Sequence, residues 1–133
     1  MNQITVPAQI ERVNEVFAFI AEKMTDAGMD IKIRNSVKIA VEEVFVNISS
    51  YAYPVEAGNV TVSAITESDK IIIRFQDSGT PYDPLAREDP DTTLSLDERD
   101  IGGLGVFMTK EIMDTVEYRY ENGQNTLIIS KNR

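Results

Sequence analysis

Two long stretches of the chain carry hydrophobic residues at the three- and four-residue spacing of amphipathic helices. The first stretch follows Gln3 to Val6, whose alternation of polar and apolar residues predicts a short strand. Pro7 suits the start of a helix, and Gly28 suits its C-cap. We expect this helix to pack on the core through an apolar stripe of Ile10, Val13, Phe17, Ile20 and Met24.

The second helical pattern runs from about Asn35 to Ala52 and contains a pair of polar residues between apolar positions. Glu43 and Asn47 are four residues apart, so the carboxylate and the amide point the same way. A carboxylate between apolar faces needs a partner, and a binding site is one way to supply it. A surface pair with no role is the other interpretation. The apolar stripe consists of Val37, Val41, Val44, Ile48 and Tyr51.

Four further segments have the alternation of strands. Val60–Ile65 and Lys70–Asp77 are separated by a short turn, so we expect them to pair antiparallel. Val116–Tyr120 and Asn125–Lys131 flank an Asn-Gly turn, which is a strong hairpin signal. Alternation in the last strand puts Leu127 and Ile129 on one face. Thr126, Ile128 and Ser130 lie on the other.

The order of these elements predicts the fold class. A strand, two helices, a strand pair, a third helix and a hairpin favour an α+β two-layer sandwich, with a mixed, mostly antiparallel sheet covered on one face by helices. We find no internal repeat and no boundary, so residues 1–133 are expected to form a single domain.

The segment from about residue 84 to residue 101 is acidic, contains two prolines and lacks apolar periodicity. Long loops of this kind inside a small domain are typical of functional lids, although a solvated linker has the same composition. Gly102-Gly103-Leu104-Gly105 then opens a helix that extends to about Asp114. Free backbone N–H groups at such a helix start suit a phosphate, and a flexible hinge is the alternative.

Composition narrows the possible chemistry. The chain lacks cysteine and histidine, which excludes thiol nucleophiles, the Ser-His-Asp triad and the usual zinc sites. A metal should therefore be a hard, oxygen-bound cation such as Mg²⁺. The net charge of −9 argues against a nucleic-acid partner. No apolar run approaches the length needed to span a membrane, and the N-terminus has no signal-peptide pattern, so we expect no membrane association and a cytoplasmic location.

Asp77-Ser78-Gly79 closes the more buried of the two central strands. An aspartate there can accept a hydrogen bond from an exocyclic amine, and Gly79 allows a flat ring to approach. An ordinary Asp-Ser-Gly turn is the other interpretation.

Taken together, these motifs resemble the GHKL ATPase superfamily, whose ATP-binding domain is the Bergerat fold. The resemblance is greatest to the stand-alone anti-sigma-factor serine/threonine kinases of bacterial partner-switching systems, and it covers nearly the whole chain. The motifs that carry it are Glu43-x-x-x-Asn47, Asp77-Ser78-Gly79-Thr80-Pro81-Tyr82-Asp83-Pro84 and Gly103-Leu104-Gly105-Val106-Phe107.

The resemblance implies a role for each matching residue around the nucleotide. Glu43 is similar to the general base that activates a serine or threonine hydroxyl, and Asn47 to the Mg²⁺ ligand. Asp77 is similar to the aspartate that binds the adenine amino group, with Gly79 beneath the ring. Thr126 is similar to a threonine that supports the adenine site through water.

The resemblance also implies phosphate-binding residues, cofactors and partners. Gly103, Leu104 and Gly105 would wrap the phosphates at the end of an ATP lid over about 84–101. The cofactors would be ATP and Mg²⁺. The partners would be a STAS-domain anti-anti-sigma factor, which is phosphorylated, and a sigma factor, which is sequestered by a homodimer.

Two departures from the family pattern leave other functions open. Tyr51 stands where many family kinases have a histidine, and the lid is acidic. These features motivate an alternative in which the chain is an ATP-responsive binding regulator with little or no kinase activity. A domain that no longer binds nucleotide is a third possibility.

Overall fold

The computed structural model describes residues 2–51, 58–81 and 108–133, apart from the side chains of Ser50 and Tyr51. It has a layer of helices on a five-stranded sheet. None of the described helices has the length and apolar character needed to cross a bilayer. The elements are β1 (Gln3–Pro7), a 3-10 turn (Ile10–Arg12), α1 (Val13–Asp26), α2 (Ile31–Tyr51), β2 (Asn59–Thr66), β3 (Lys70–Asp77), β4 (Thr115–Glu121) and β5 (Gln124–Asn132).

The sheet has the strand order β1-β2-β3-β5-β4, with β3 in the centre. Each of the described strand pairs is antiparallel. The described strands therefore do not include the parallel pair that the predicted mixed sheet would contain. The predicted α+β two-layer sandwich is confirmed. Part of the third predicted helix lies outside the described residues, and residues 108–112 are helical.

One face of β3 joins the core to the candidate site. Ile71, Ile73, Phe75 and Asp77 are all buried, because alternate side chains of a strand point to the same face. In the register with β5, Phe75 lies opposite Leu127. The same core cluster includes side chains of β2, α1 and α2. The aspartate at the end of β3 therefore faces the layer between sheet and helices.

The α2 helix begins at Ile31, which is earlier than the predicted Asn35. Asp30 caps this start, since its Oδ1 accepts a 2.8 Å hydrogen bond from the backbone N–H of Lys32. Ile31 is 61% exposed, whereas Ile33 packs against the core one helical turn before Val37. The apolar stripe therefore extends into the first turn, and the sequence analysis placed the start of the helix too late.

The prediction that Pro7 starts a helix is wrong, because Pro7 is the last residue of β1 and pairs with Asn59. β1 is an edge strand, where a residue without an N–H is tolerated. The predicted end of α1 is confirmed. Gly28 has a φ of +69°, and the N–H of Met29 donates to the carbonyl of Met24 at 3.1 Å, as in a Schellman cap.

The predicted Asn-Gly hairpin joins β4 to β5. Asn122 and Gly123 have φ angles of +55° and +75°, which a two-residue type I′ turn requires. The turn sets the register of the two strands, so that Tyr120 lies opposite Asn125. This register decides which β5 side chains share a face with the core.

Candidate functional site

The site is built around the carboxylate of Asp77 at the end of β3. Asp77 is only 3% exposed. Its Oδ1 accepts a 2.9 Å hydrogen bond from the backbone N–H of Gly79 and a 3.0 Å hydrogen bond from Nδ2 of Asn125. Both donors use the same oxygen, and no donor from the described part of the chain reaches Oδ2. Oδ2 is thus the atom that can accept a hydrogen bond from a ligand.

Burial raises the pKa of Asp77 above its ordinary value, and the hydrogen bonds from Asn125 and Gly79 oppose this shift. The two donors therefore favour the ionised acceptor in a place where desolvation disfavours charge. A carboxylate held in this way can bind an amino group on a flat ring and fix its orientation.

The side chain of Asn125 connects Asp77 to the neighbouring loop and to β4. Its Nδ2 also lies 3.0 Å from the carbonyl oxygen of Thr80 and 3.4 Å from that of Gly79. Its Oδ1 accepts a 2.5 Å hydrogen bond from the hydroxyl of Tyr118. The amide is therefore bonded at both ends, and it ties three chain segments together at the aspartate.

Thr126, which was expected beside the adenine site, is not brought to Asp77. The β3–β5 register pairs Asp77 with Asn125 and Gln76 with Thr126. Side chains of adjacent residues in a strand point to opposite faces. Thr126 therefore lies on the face of the sheet away from Asp77, and Asn125 occupies the position where a supporting residue was expected.

Glu43 is half-buried on α2, and its pKa is raised above the ordinary value. Burial is the larger cause, and the negative charge of Glu42 is the second. Within the described residues its carboxylate makes no hydrogen bond or ion pair. A carboxylate with a raised pKa is a stronger proton acceptor than an ordinary glutamate, which suits a general base.

Asn47 lies one helical turn after Glu43 and is 9% exposed. Its Oδ1 is buried and has no hydrogen-bond partner among the described residues. A buried acceptor without a donor lowers the free energy of unfolding by about 1–3 kcal/mol, and here that penalty falls on the Oδ1 atom of Asn47. A hard cation would satisfy this neutral oxygen, and the residue therefore fits a Mg²⁺ ligand.

The two halves of the candidate site lie on elements that share one core. Val44 and Ile48 of α2 flank Asn47 along the helix and belong to the same buried cluster as Phe75. Phe75 is on the same face of β3 as Asp77. The predicted lid over about 84–101 and the phosphate-binding residues Gly103, Leu104 and Gly105 lie outside the described residues.

Sequence reasoning missed Asn125 and Tyr118. The alternation of β5 contained a signal for Asn125, since odd-numbered residues there share the face of Leu127 and Ile129. Tyr118 gave no comparable signal, because its contact depends on the β4–β5 pairing and on a hydroxyl position.

The α+β sandwich carries a buried aspartate that faces the helix layer, a buried amide oxygen without a partner among the described residues, and a glutamate of raised pKa. A sequence profile of the histidine kinase-like ATPase domain matches residues 6–131. The chain therefore belongs to the histidine kinase-like ATPase family, and its resemblance to the GHKL anti-sigma-factor kinases is confirmed.

The chain is also similar to bacterial kinases. Serine-protein kinase RsbW of Listeria monocytogenes serovar 1/2a is 28% identical over 130 residues, which cover 94% of this chain and 83% of that protein. RsbW of Halalkalibacterium halodurans is 29% identical over 125 residues, covering 91% and 76%. RsbW of Bacillus cereus strain G9842 is 25% identical over 133 residues, covering 95% and 81%.

Proposed function

We propose that this chain is an ATP-dependent protein serine/threonine kinase of the anti-sigma-factor type. It binds Mg-ATP, phosphorylates a serine or threonine on a STAS-domain antagonist and sequesters a sigma factor when the antagonist is absent. The observation that carries the proposal is the buried Asp77 carboxylate, whose Oδ1 is occupied by Asn125 and Gly79 while Oδ2 remains an acceptor. Membership of the ATPase family and similarity to serine-protein kinases support the same function.

The adenine ring is proposed to bind at the end of β3. Its 6-amino group donates to Oδ2 of Asp77, and the ring lies over Gly79. The hydrogen bond from Asn125 keeps the carboxylate plane fixed before the nucleotide arrives. Preorganised acceptors of this kind cost little to order on binding, which raises affinity.

Asn47 is proposed to hold Mg²⁺ through its buried Oδ1. When bound, Mg²⁺ neutralises phosphate charge, which this acidic chain otherwise repels. Gly103, Leu104 and Gly105 are proposed to contact the phosphates through backbone N–H groups. Arg87 and Arg99, within the predicted lid, and Lys110, after it, are the basic residues proposed to add to this neutralisation.

Glu43 is proposed to accept the proton of the incoming hydroxyl. The hydroxyl oxygen forms a bond to the γ-phosphorus, and the bond from that phosphorus to the β–γ bridging oxygen breaks. ADP leaves with the electron pair of that bond, and the proton passes to the Glu43 carboxylate. Such transfers depend mainly on positioning and charge neutralisation, and the base adds about 10²–10⁴-fold.

The proposed partners follow from the similarity to serine-protein kinases and from the resemblance of the motifs. They are a STAS-domain anti-anti-sigma factor as phosphate acceptor and a sigma factor as the sequestered protein. A homodimer is the proposed assembly. Because ATP and sigma factors occur inside the cell, the proposal implies action in the cytoplasm.

The experiment that tests the proposal has two stages. Calorimetric titration with Mg-ATP measures binding to the wild-type chain, and a titration with the Asp77→Asn variant provides the control. The wild-type chain is then incubated with γ-labelled ATP and the STAS-domain protein encoded nearest to its gene. Labelled phosphoserine or phosphothreonine is the expected product, and absence of ATP binding to the wild-type chain would overturn the proposal.

A second candidate function is an ATP-responsive binding regulator with little or no kinase activity. Tyr51 favours it, since many family kinases have histidine at this place on the helix. The two functions differ in one outcome of the experiment above. Tight Mg-ATP binding with no label on the STAS-domain protein, at protein excess, would favour the regulator.

A further inference from the structure

We propose that Tyr118 is a positioning residue for the nucleobase, because its hydroxyl fixes the Asn125 amide that holds the Asp77 carboxylate. Through this relay, the edge strand β4 helps the site to select a 6-aminopurine over a 6-oxopurine. The inference rests on the proposed function and adds a residue and a base selectivity to it. It follows from one continuous set of hydrogen bonds.

The groups around the Asn125 amide fix its direction. The three groups around its Nδ2 are Oδ1 of Asp77 and the carbonyl oxygens of Thr80 and Gly79, all of which are acceptors. If the amide were flipped, its oxygen would face all three acceptors without a proton between them. The nitrogen must therefore lie on this side, and the amide oxygen must face Tyr118.

Because Oδ1 of Asn125 is an acceptor, the 2.5 Å contact requires the Tyr118 hydroxyl to be the donor. The ring of Tyr118 packs against the core, and this packing fixes the position of its hydroxyl group. The hydrogen bond from this hydroxyl holds the Asn125 amide in one rotamer, in which Nδ2 points at Asp77.

With Oδ1 of Asp77 bound by Asn125 and by the Gly79 N–H, Oδ2 is the remaining acceptor. A 6-amino group can donate to Oδ2, whereas a 6-oxo group brings a second acceptor against it. The discrimination depends on the carboxylate keeping its orientation, because a carboxylate that turns freely can move away from the oxo group.

A purely structural role for Tyr118 predicts a different result. Loss of packing would disturb the whole site and weaken the binding of every purine nucleotide to a similar extent. The ratio of ATP affinity to inosine triphosphate (ITP) affinity therefore separates the two roles. ITP carries an oxo group in place of the 6-amino group of ATP and a hydrogen on N1, so it places an acceptor where adenine places a donor.

The experiment measures binding of Mg-ATP and Mg-ITP to the wild-type chain and to Tyr118→Phe, by calorimetry. Loss of one hydrogen bond in the relay is expected to weaken ATP binding about fivefold. ITP binding is expected to change by less than about twofold, since it gains nothing from the fixed carboxylate. The ATP-to-ITP affinity ratio should therefore fall severalfold.

Tyr120→Phe is the matched control. Tyr120 lies on the same strand opposite Asn125, is 45% exposed, and its hydroxyl makes no side-chain hydrogen bond within the described residues. Removal of the Tyr120 hydroxyl should leave the affinities for Mg-ATP and Mg-ITP unchanged. Asn125→Leu removes the next member of the relay and should lower the ratio at least as far as Tyr118→Phe.

The possible outcomes separate the inference from the proposed function. A wild-type chain that binds neither nucleotide overturns both. A wild-type chain that prefers ATP, together with a Tyr118→Phe variant of unchanged ratio or of equal loss for both nucleotides, overturns only the role of Tyr118. A reduced ratio in Tyr118→Phe but not in Tyr120→Phe supports the inference.

Discussion

Asn125 donates a 3.0 Å hydrogen bond from its side-chain amide to Oδ1 of Asp77, directly across the pairing of β3 with β5. The two residues are 48 positions apart in the chain. Their contact exists because the β5 register turns Asn125, and not its neighbour Thr126, toward the helices. This contact assigns Oδ1 of Asp77 to the structure and leaves Oδ2 for the proposed hydrogen bond to the adenine amino group.

Asp77→Asn should therefore separate stability from nucleotide binding. The new side chain keeps an oxygen that can accept from Gly79 and Asn125, and it removes a buried charge whose desolvation raises the pKa of Asp77. Its NH₂ group would then face the adenine amino group, donor against donor. We expect a melting temperature equal to or above that of the wild-type chain, and ATP affinity lower by about 10²-fold.

Thermal melting monitored by circular dichroism and calorimetric titration with Mg-ATP measure the two effects. Asp69→Asn, in the turn between β2 and β3, is the control for removing a negative charge and should change neither. Full ATP affinity in Asp77→Asn would show that the adenine does not bind at this carboxylate.

Glu43→Gln should abolish most phosphotransfer and leave nucleotide binding nearly intact. The amide keeps the size of the side chain but cannot accept a proton from the incoming hydroxyl. We expect the rate to fall by about 10²-fold or more. Glu42→Gln is a close control, because Glu42 is the exposed neighbouring glutamate on the same helix. Equal rates for Glu43→Gln and Glu42→Gln would rule out Glu43 as the base.

Asn47→Leu should stabilise the nucleotide-free protein and remove its response to magnesium. Leucine has a similar size and no polar atom, so it eliminates the unpartnered buried Oδ1. We expect a gain of about 1 kcal/mol in the free energy of unfolding, measured in urea without nucleotide. The increase in ATP affinity on adding Mg²⁺ should disappear in this variant.

Asn47→Asp provides the contrast for that measurement. It retains an oxygen for Mg²⁺ but adds a buried charge, so it should be less stable than the wild-type chain and still respond to Mg²⁺. If Asn47→Leu instead loses stability, the Oδ1 atom has a partner in solution and the magnesium assignment loses its support.

The free energy of unfolding should depend on pH through the titration of Asp77 and Glu43. Both pKa values are raised in the folded protein, so the folded state binds protons more tightly than the unfolded state. Their contribution to stability is therefore largest below the ordinary carboxylate range. It falls as pH rises through the raised pKa values and is constant above them.

The measurement compares the wild-type chain with the Asp77→Asn, Glu43→Gln double variant in urea at a series of pH values. Relative to the wild-type chain, the double variant should become more stable as the pH rises from about 4 toward neutrality. A difference that does not vary with pH would mean that neither carboxyl group has a raised pKa in the folded protein.

Much of the fold could be predicted from the sequence because the periodicity is local. The alternation from Lys70 to Asp77 matches β3 at both ends, and the Asn122-Gly123 turn was recognised from its dipeptide. The early start of α2 was missed because its first turn contacts the core through Ile33 alone, while Ile31 is exposed. The Asp30 cap is a better signal for this start than the hydrophobic spacing.

The partner of Asp77 was predicted less well because it depends on pairing between distant strands. A shift of one residue in the register moves every side chain of a strand to the opposite face of the sheet. The register of β5 therefore decides whether Thr126 or Asn125 lies on the same face as Asp77. The family resemblance pointed to Thr126, whereas the burial alternation of Leu127 and Ile129 favoured Asn125. Tyr118 was not predicted, since its contact with Asn125 depends on the β4–β5 pairing and on the position of one hydroxyl group.

On the central strand β3, Asp77 points to the same face as the aromatic and aliphatic side chains that fill the interior. Any slippage that exposes Phe75 also turns Asp77 outward. Binding of ATP can therefore be used to test whether β3 has its native register. A compact chain with a shifted β3 register would not bind the nucleotide. During refolding, recovery of ATP affinity should coincide with the final ordering of the interior and not with the earlier appearance of secondary structure.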